Sequence, residues 1–292
     1  MKVTDIMKKR MSLSFEVFPP KMDKPVEPLY SVLEKLYSLD PDFISCTYGA
    51  GGTNAGRHME ICERIQKSDN RTVAISHFTC IGSTKEDIRR EMQASLDLGI
   101  DHVLALRGDI PKGWESTRGD FHHASELIAY LRDVFGSRFT IAMAGAPEKH
   151  IEARSFDEDI AHLRMKQDAG ADILMTQLCY DTDGFARWVE KIRAAGITLP
   201  IDAGIMPVLS KDSVIRMCLG TNGCSIPRPL AELISRHYND TPEDFRKAGI
   251  EYTIDLTYKF MNLGISGIHF YTMNKADAVL EICEGCGLTH RK

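Results

Sequence analysis

The stretch LDLGIDHVLALRGD, residues 96–109, runs from the end of an amphipathic segment through Gly99 into an apolar stretch and stops in a charged cluster. The same unit returns as QDAGADILMTQ at 167–177 and as FMNLGISGIHFYT at 260–272. In each copy a glycine (Gly99, Gly170 or Gly264) is placed to supply the left-handed turn that ends a helix. The run after it is apolar without alternation, so both faces need cover, as in a parallel sheet flanked by helices. Extended along the chain, this reading predicts strands near 12–18, 43–48, 72–78, 102–107, 139–144, 172–176, 200–205 and 267–272. Helices are predicted near 27–38, 55–67, 84–98, 122–134, 156–169, 182–195, 210–219 and 242–263, with a last one from 275. Eight strands, each followed by a helix, make an α/β chain with the count of a (β/α)8 TIM barrel. The 206–240 region, containing IPRPLAELISRH, predicts an extra helical insertion before the last strand.

Bulk properties agree with one barrel. The chain has 292 residues, 43% hydrophobic and 26% charged, and no Pro/Gly/Ser linker divides it, so 1–292 is read as a single domain. No apolar run approaches the roughly 20 residues that span a bilayer. The amino-terminal MKVTDIMKKR lacks the apolar core of an export signal, and a cytoplasmic protein is expected. A net charge of -5 gives no electrostatic reason to bind nucleic acid or an anionic membrane. The eight cysteines are scattered and read as free thiols. Cys283-Glu-Gly-Cys286 has a suggestive spacing, but a zinc site needs a second half, and no metal is expected.

In such a barrel the chemistry lies at the carboxyl ends of the strands. Glu16, Thr47-Tyr48-Gly49, His77 with Thr79, Arg107-Gly108-Asp109, Thr176-Gln177 and Tyr271-Thr272 occupy those ends. Ser12, Ser14 and Glu16 alternate with Leu13, Phe15 and Val17, which turns the small polar side of the first strand toward the lumen. Glu16 could still be a structural carboxylate, Asp109 a turn cap before Pro111, and His77 a hydrogen-bonded core histidine. His162 and Lys166 share a helix face at i and i+4. YGAGGTNAGR lacks the spacing of a dinucleotide or P-loop motif, although its successive amides could cradle an anion. The usual hydrolase signatures are absent.

Taken together, SFEVFPPK, FISCTYGAGG, SHFTCIG, HVLALRGDIP, KQDAGADILMTQLCYD, AGIMPV and GIHFYTMNK resemble one family, methylenetetrahydrofolate reductase of the barrel-only bacterial type. The resemblance runs in family order from residue 14 to residue 275. It implies flavin-dependent reduction of 5,10-methylenetetrahydrofolate to 5-methyltetrahydrofolate in one-carbon metabolism and methionine biosynthesis, with noncovalent FAD along the carboxyl face. By position Glu16 resembles the general acid that protonates the folate nitrogen whose ring opens, after which reduced flavin delivers hydride to the methylene carbon. An acid working near neutral pH needs its proton held, and Phe15, Val17 and Phe18 offer an apolar setting that disfavours the charged form. Asp109 resembles the carboxylate between flavin and pterin. Gln177, Met217, Tyr271 and Lys275 match substrate-side positions. Thr47, His77, Arg107, Gly108, Asp109, His123, Ala124, Ala146, His150, His162 and Lys166 match the FAD site, with Arg107 and Lys166 bringing charge toward its phosphates or ribityl chain.

This sequence departs from the pattern at four of those positions. Ala146 and His123 stand where flavin-facing aromatics are common, Lys275 where arginine is common, and Met217 where some members have phenylalanine. Each lost aromatic contact is worth on the order of 1 kcal/mol. The electron donor implied is NADH, NADPH or an electron-transfer protein subunit, and a homo-oligomer without S-adenosylmethionine regulation is expected by analogy. Two other readings stay open: a subunit that chiefly docks an electron-transfer partner, and a barrel hydrolase using Glu16 and Asp109 as paired carboxylates.

Overall fold

The glycine joints set the architecture. In the computed structural model, which describes residues 2–48, 55–68, 71–220 and 223–289, Gly99, Gly170 and Gly264 have φ of 79°, 111° and 66°. Each is followed by a strand: β4 (His102–Leu106), β6 (Ile173–Thr176) and β8 (Gly267–Tyr271). With β1 (Ser12–Val17), β2 (Phe43–Cys46), β3 (Val73–Thr79), β5 (Thr140–Gly145) and β7 (Ile201–Ile205) they form a closed barrel in sequence order. Every pairing is parallel, and β1 closes the ring on β8 with Ser14 opposite His269 and Glu16 opposite Tyr271. The single-barrel prediction holds.

Helices α2 (Glu27–Tyr37), α3 (Ala55–Gln66), α4 (Lys85–Asp97), α5 (Ala124–Phe135), α6 (Phe156–Asp168), α7 (Thr182–Ala194), α8 (Lys211–Leu219), α10 (Pro242–Met261) and α11 (Ala276–Gly285) lie where the amphipathic stretches place them. The predicted extra helix is α9 (Arg228–Arg236). Local chemistry fixes the starts. Thr84 and Asp87 form a capping box on α4, and the side chains of Ser155, Asp181, Ser210 and Thr241 accept from the first-turn amides of α6, α7, α8 and α10.

One element escaped the sequence reading. Helix α1 (Val3–Met7) puts Val3 and Met7 among Phe43, Val73, Ile75, Leu104, Ala142, Ile173 and Met175, closing the lumen at the amino-terminal end of the strands. Five residues in a charged segment give too little periodicity to register. The outer core, which includes Leu13, Phe15 and Val17 with Leu29, Leu33 and Leu36, packs strands against helices. The inner space is divided. The cluster of Phe43, Val73, Ile75, Leu104, Ala142, Ile173 and Met175 is apolar, while Ser12 and Ser14 on β1, Ser45 on β2, His77 on β3, Asp202 on β7 and His269 on β8 are buried polar groups. That asymmetry positions the site.

Candidate active site

Glu16 is the fifth residue of β1, and the alternation from Ser12 and Ser14 carries it into the lumen with 18% of its side chain exposed. The expected apolar setting is not the one its carboxyl meets. Neighbouring residues on a strand point to opposite faces, so Phe15 and Val17 pack outward in the helix layer, and Phe18 lies beyond the strand and is exposed. Two imidazoles flank the acid instead. Glu16 Oε2 lies 3.5 Å from His77 Nε2 and 3.9 Å from His269 Nε2. Both nitrogens are buried and have no hydrogen-bond partner among the described residues. Leaving a buried polar group unpaired costs about 1–3 kcal/mol, so two of them aimed at one carboxyl mark a functional cluster. Burial lowers His77 to about 4, against an upward pull from Glu16, so this ring is neutral at neutral pH.

Beneath the acid the polar chain continues. Ser14 Oγ stands 2.8 Å from His269 Nδ1 and donates to Asp202 Oδ2 at 3.0 Å. Asp202 is fully buried, and Gly267 opposite it on β8 lacks the Cβ that would collide with its carboxylate and with Ser12. Burial is the main cause raising Asp202 from 3.8 to about 6, partly offset by His269 and Ser14. A carboxyl that holds its proton more tightly folded than unfolded contributes stability below its unfolded value and loses it as pH rises through its folded value. Asp202→Asn is therefore expected to gain on the parent by up to about 3 kcal/mol between roughly pH 4 and pH 7. Denaturant titrations of both proteins at the two pH values check this, and an unchanged difference contradicts it.

Tyr271 closes the other side. Its hydroxyl donates to Thr176 O at 2.7 Å, passing over Gly204, where a Cβ would collide with the ring. Thr272 Oγ1 donates to Glu16 O at 2.7 Å, and Gln177 follows Thr176 at the end of β6, its Oε1 accepting from Leu178 N. Glu16, His77, Gln177 and Tyr271 are thus gathered at the barrel mouth.

The positions matched to FAD divide. Thr47 directly follows β2; its amide donates to Val17 O and its carbonyl lies 3.1 Å from His58 Nδ1. Arg107 grips Glu152 at 2.6 and 2.9 Å and turns its Nε to Gly108 O, beside an exposed Asp109. Glu152, which the sequence reading did not single out, belongs to the loop that holds Ala146 and His150, and its amide donates to His150 Nδ1. His123 and Ala124 start α5, where the Glu126 carboxylate already accepts from the amides of His122 and His123. His162 is exposed, whereas Lys166 turns inward and donates to Ala144 O at 2.5 Å. Burial lowers Lys166 to about 8. Their i, i+4 spacing thus does not make them a pair.

Met217 sits partly buried on α8. Lys275 precedes α11, is exposed, and lines a cleft of about 640 Å³ with Pro28, Lys35 and Asp277. Gly49 and most of the glycine-rich stretch after it lie outside the described residues. Cys283 and Cys286 are buried at the end of α11, with Cys286 Sγ reaching Ile254 O, so their spacing serves helix packing. Cys46, His58 and Cys62 converge on one another behind β2, a trio brought together from β2 and α3 that sequence spacing could not reveal.

Fold and mouth define the class: a TIM barrel whose polar site is assembled at the carboxyl ends of its strands. The methylenetetrahydrofolate reductase family model matches residues 2–287, and the chain belongs to that family. It is 37% identical to methylenetetrahydrofolate reductase 1 of Schizosaccharomyces pombe over 99% of this chain and 49% of that protein. It is 33% identical to 5,10-methylenetetrahydrofolate reductase of Escherichia coli over 96% of this chain and 92% of that protein. The chain spans about half the length of the yeast and plant relatives it matches. Among solved structures, a Clostridium thermocellum protein described as binding two copies of 5-methyl-5,6,7,8-tetrahydrofolic acid shares the fold, with a TM-score of 0.67, 15% identity and coverage of 98% and 99% of the two chains. Among the described residues, no helix is long and apolar enough to cross a membrane.

Proposed function

We propose that this chain reduces 5,10-methylenetetrahydrofolate to 5-methyltetrahydrofolate with bound FAD, Glu16 acting as general acid. The observation that carries this reading is the Glu16 carboxyl at the mouth of a barrel of this family, met by two buried and otherwise unpaired imidazole nitrogens. Such a cluster can hold a proton at Oε2 and release it to a basic nitrogen that enters the mouth. His77, kept neutral by burial, orients the carboxyl without neutralising it. Gln177 and Tyr271 border the same opening and are suited to orient a pterin.

The residues present fit a flavin. The orphaned His77 Nε2 offers a buried polar contact at the floor of the mouth, Arg107 offers a cation at the rim, and Lys166 supports the end of β5. Arg107, Gly108 and Thr47 would hold the cofactor from one side and the His150 loop from the other. When bound, FAD supplies the hydride. The Arg107 fork is taken up by Glu152, so an anionic cofactor would compete with that carboxylate for it. Arg107→Gln is expected to weaken FAD binding by roughly 10- to 100-fold, the equivalent of about 1.5–3 kcal/mol for a charged hydrogen bond, as read by fluorescence titration of apoprotein.

The test of the reading is a visible spectrum of the purified protein followed by anaerobic titration with NADH and with NADPH. A yellow protein bleached by one of them supports it and identifies the donor. A yellow protein bleached by neither, but reduced on adding an electron-transfer protein, keeps the reaction and reassigns the donor. Colourless protein that takes up no FAD overturns it.

A further inference from the structure

We propose that Asp202, Ser14 and His269 form a buried proton relay that returns a proton to Glu16 after it has acted. The proposal rests on the reading of Glu16 as the acid. It is drawn from a line of polar atoms crossing three adjacent strands. Asp202 Oδ2 to Ser14 Oγ is 3.0 Å, Ser14 Oγ to His269 Nδ1 is 2.8 Å, and His269 Nε2 to Glu16 Oε2 is 3.9 Å. Ser14 and His269 are paired across the β1–β8 seam, and β7 is the next strand, so the register itself assembles the line. Only its last link is long, and Glu16, the member with appreciable exposure, has to turn its terminal carboxyl, a soft torsion, toward His269 Nε2 for a proton to pass.

The proton count balances without charging the imidazole. With Asp202 ionised, Ser14 donates to it; once Asp202 is protonated that hydrogen bond reverses, so before transfer Asp202 donates to Ser14 Oγ, the freed Ser14 hydroxyl donates to His269 Nδ1, and His269 carries its own proton on Nε2. When Glu16 has given its proton to substrate, Nε2–H passes to Oε2, the Ser14 proton moves to Nδ1, and the Asp202 proton moves to Ser14. One proton leaves Asp202 and one arrives on Glu16. His269 changes tautomer, and Asp202 is left as carboxylate facing Ser14. Once the mouth reopens, the line runs backwards to refill Asp202 and one proton from water lands on Glu16, which restores the starting state.

Asp202 has the right affinity for such a store, because burial raises it to about 6, close to the working range of an acid near neutral pH. The other titratable groups around the line are few. His77 on β3 and Cys46 on β2 sense Glu16 from one side, and Tyr271 senses both Glu16 and Asp202. Asp42, held by Arg10 at 2.8 Å, faces Asp202 from the base of the barrel. His77 also approaches Glu16, but among the described residues no serine and carboxylate continue from it, so it orients rather than supplies. Asp202, Ser14 and His269 do not reach the mouth, and they act through Glu16.

Two variants separate a relay from simple electrostatics. Asp202→Asn removes the store and its charge, while Ser14→Ala cuts the line and leaves every charge in place. In the holoprotein, the alkaline limb of folate turnover is expected to move to lower pH by on the order of one unit in Asp202→Asn and to stay put in Ser14→Ala. The solvent-isotope proton inventory is expected to be curved in the parent and linear in both variants. Independently of cofactor, nitrogen NMR of histidine-labelled protein should show the His269 ring with its proton on Nε2 in the parent, held so by the Ser14 hydroxyl at Nδ1, and a changed tautomer balance in Ser14→Ala. A curved inventory that survives in both variants, or a His269 tautomer identical with and without the Ser14 hydroxyl, overturns the relay. If Glu16→Gln instead keeps folate turnover, the acid reading fails, while the NMR result still decides whether the line exists.

Discussion

Glu16→Gln is expected to bind FAD and accept electrons like the parent while losing folate turnover by roughly 10²- to 10⁴-fold, the usual contribution of a positioned general acid. The substitution keeps the shape of the side chain and its place between His77 and His269, so the fold is not disturbed. What it removes is the transferable proton. Because the electron donor does not need that proton, flavin reduction by the nicotinamide should be unaffected, and the loss should appear in kcat for the folate half-reaction. Rapid mixing of the two half-reactions separately checks this. Equal slowing of both would point to a damaged cofactor site and remove Glu16 from the acid role.

Gly249→Ala is expected to lower the melting temperature by up to roughly 8 °C, although helix propensity alone predicts a gain of about 1 kcal/mol. Gly249 lies inside α10, and a Cβ there would run into the carbonyl oxygen of Val208 in the segment leaving β7. That contact is backbone against backbone, so neither partner can turn aside, and overpacking of this kind costs about 1–3 kcal/mol or more. Thr253, one turn on, ties the same place together: its hydroxyl accepts from Val208 N at 3.1 Å and donates to Gly249 O at 2.7 Å. The segment from Met206 to Val208 leads from the mouth to α8 and Met217, so folate affinity should weaken along with stability. Thermal melts decide between propensity and packing, since the two give opposite signs.

The barrel was legible because its signals are local and repeated. A glycine after each of three helices and an apolar run after each glycine survive in one dimension, and the structure returns them nearly residue for residue. Glu16 was legible for the same reason, since Ser12, Ser14 and Glu16 alternate within six residues. Its surroundings were not. The same period of two that brings Glu16 into the lumen sends Phe15 and Val17 away from it, so sequence neighbours were the wrong guide to its environment. Asp202 and His269 lie within runs that read as apolar strands, and their partnership with Ser14 exists only because β1, β8 and β7 are adjacent in the closed sheet. Glu152 and the Cys46, His58 and Cys62 trio are likewise products of tertiary proximity. Lys275, just before α11, lines a cleft with Pro28 and Lys35 of α2, a neighbourhood that sequence spacing does not bring together either.

The most direct test of Glu16-assisted folate reduction is a single turnover without oxygen. Flavin-loaded protein is reduced, freed of excess reductant and mixed with 5,10-methylenetetrahydrofolate, and the folate is then identified by mass spectrometry as the flavin absorbance returns. The predicted result is one 5-methyltetrahydrofolate formed for each flavin reoxidised, with both signals lost together in Glu16→Gln. Flavin that stays reduced in the presence of the folate, or product that forms at the parent rate in Glu16→Gln, would contradict it.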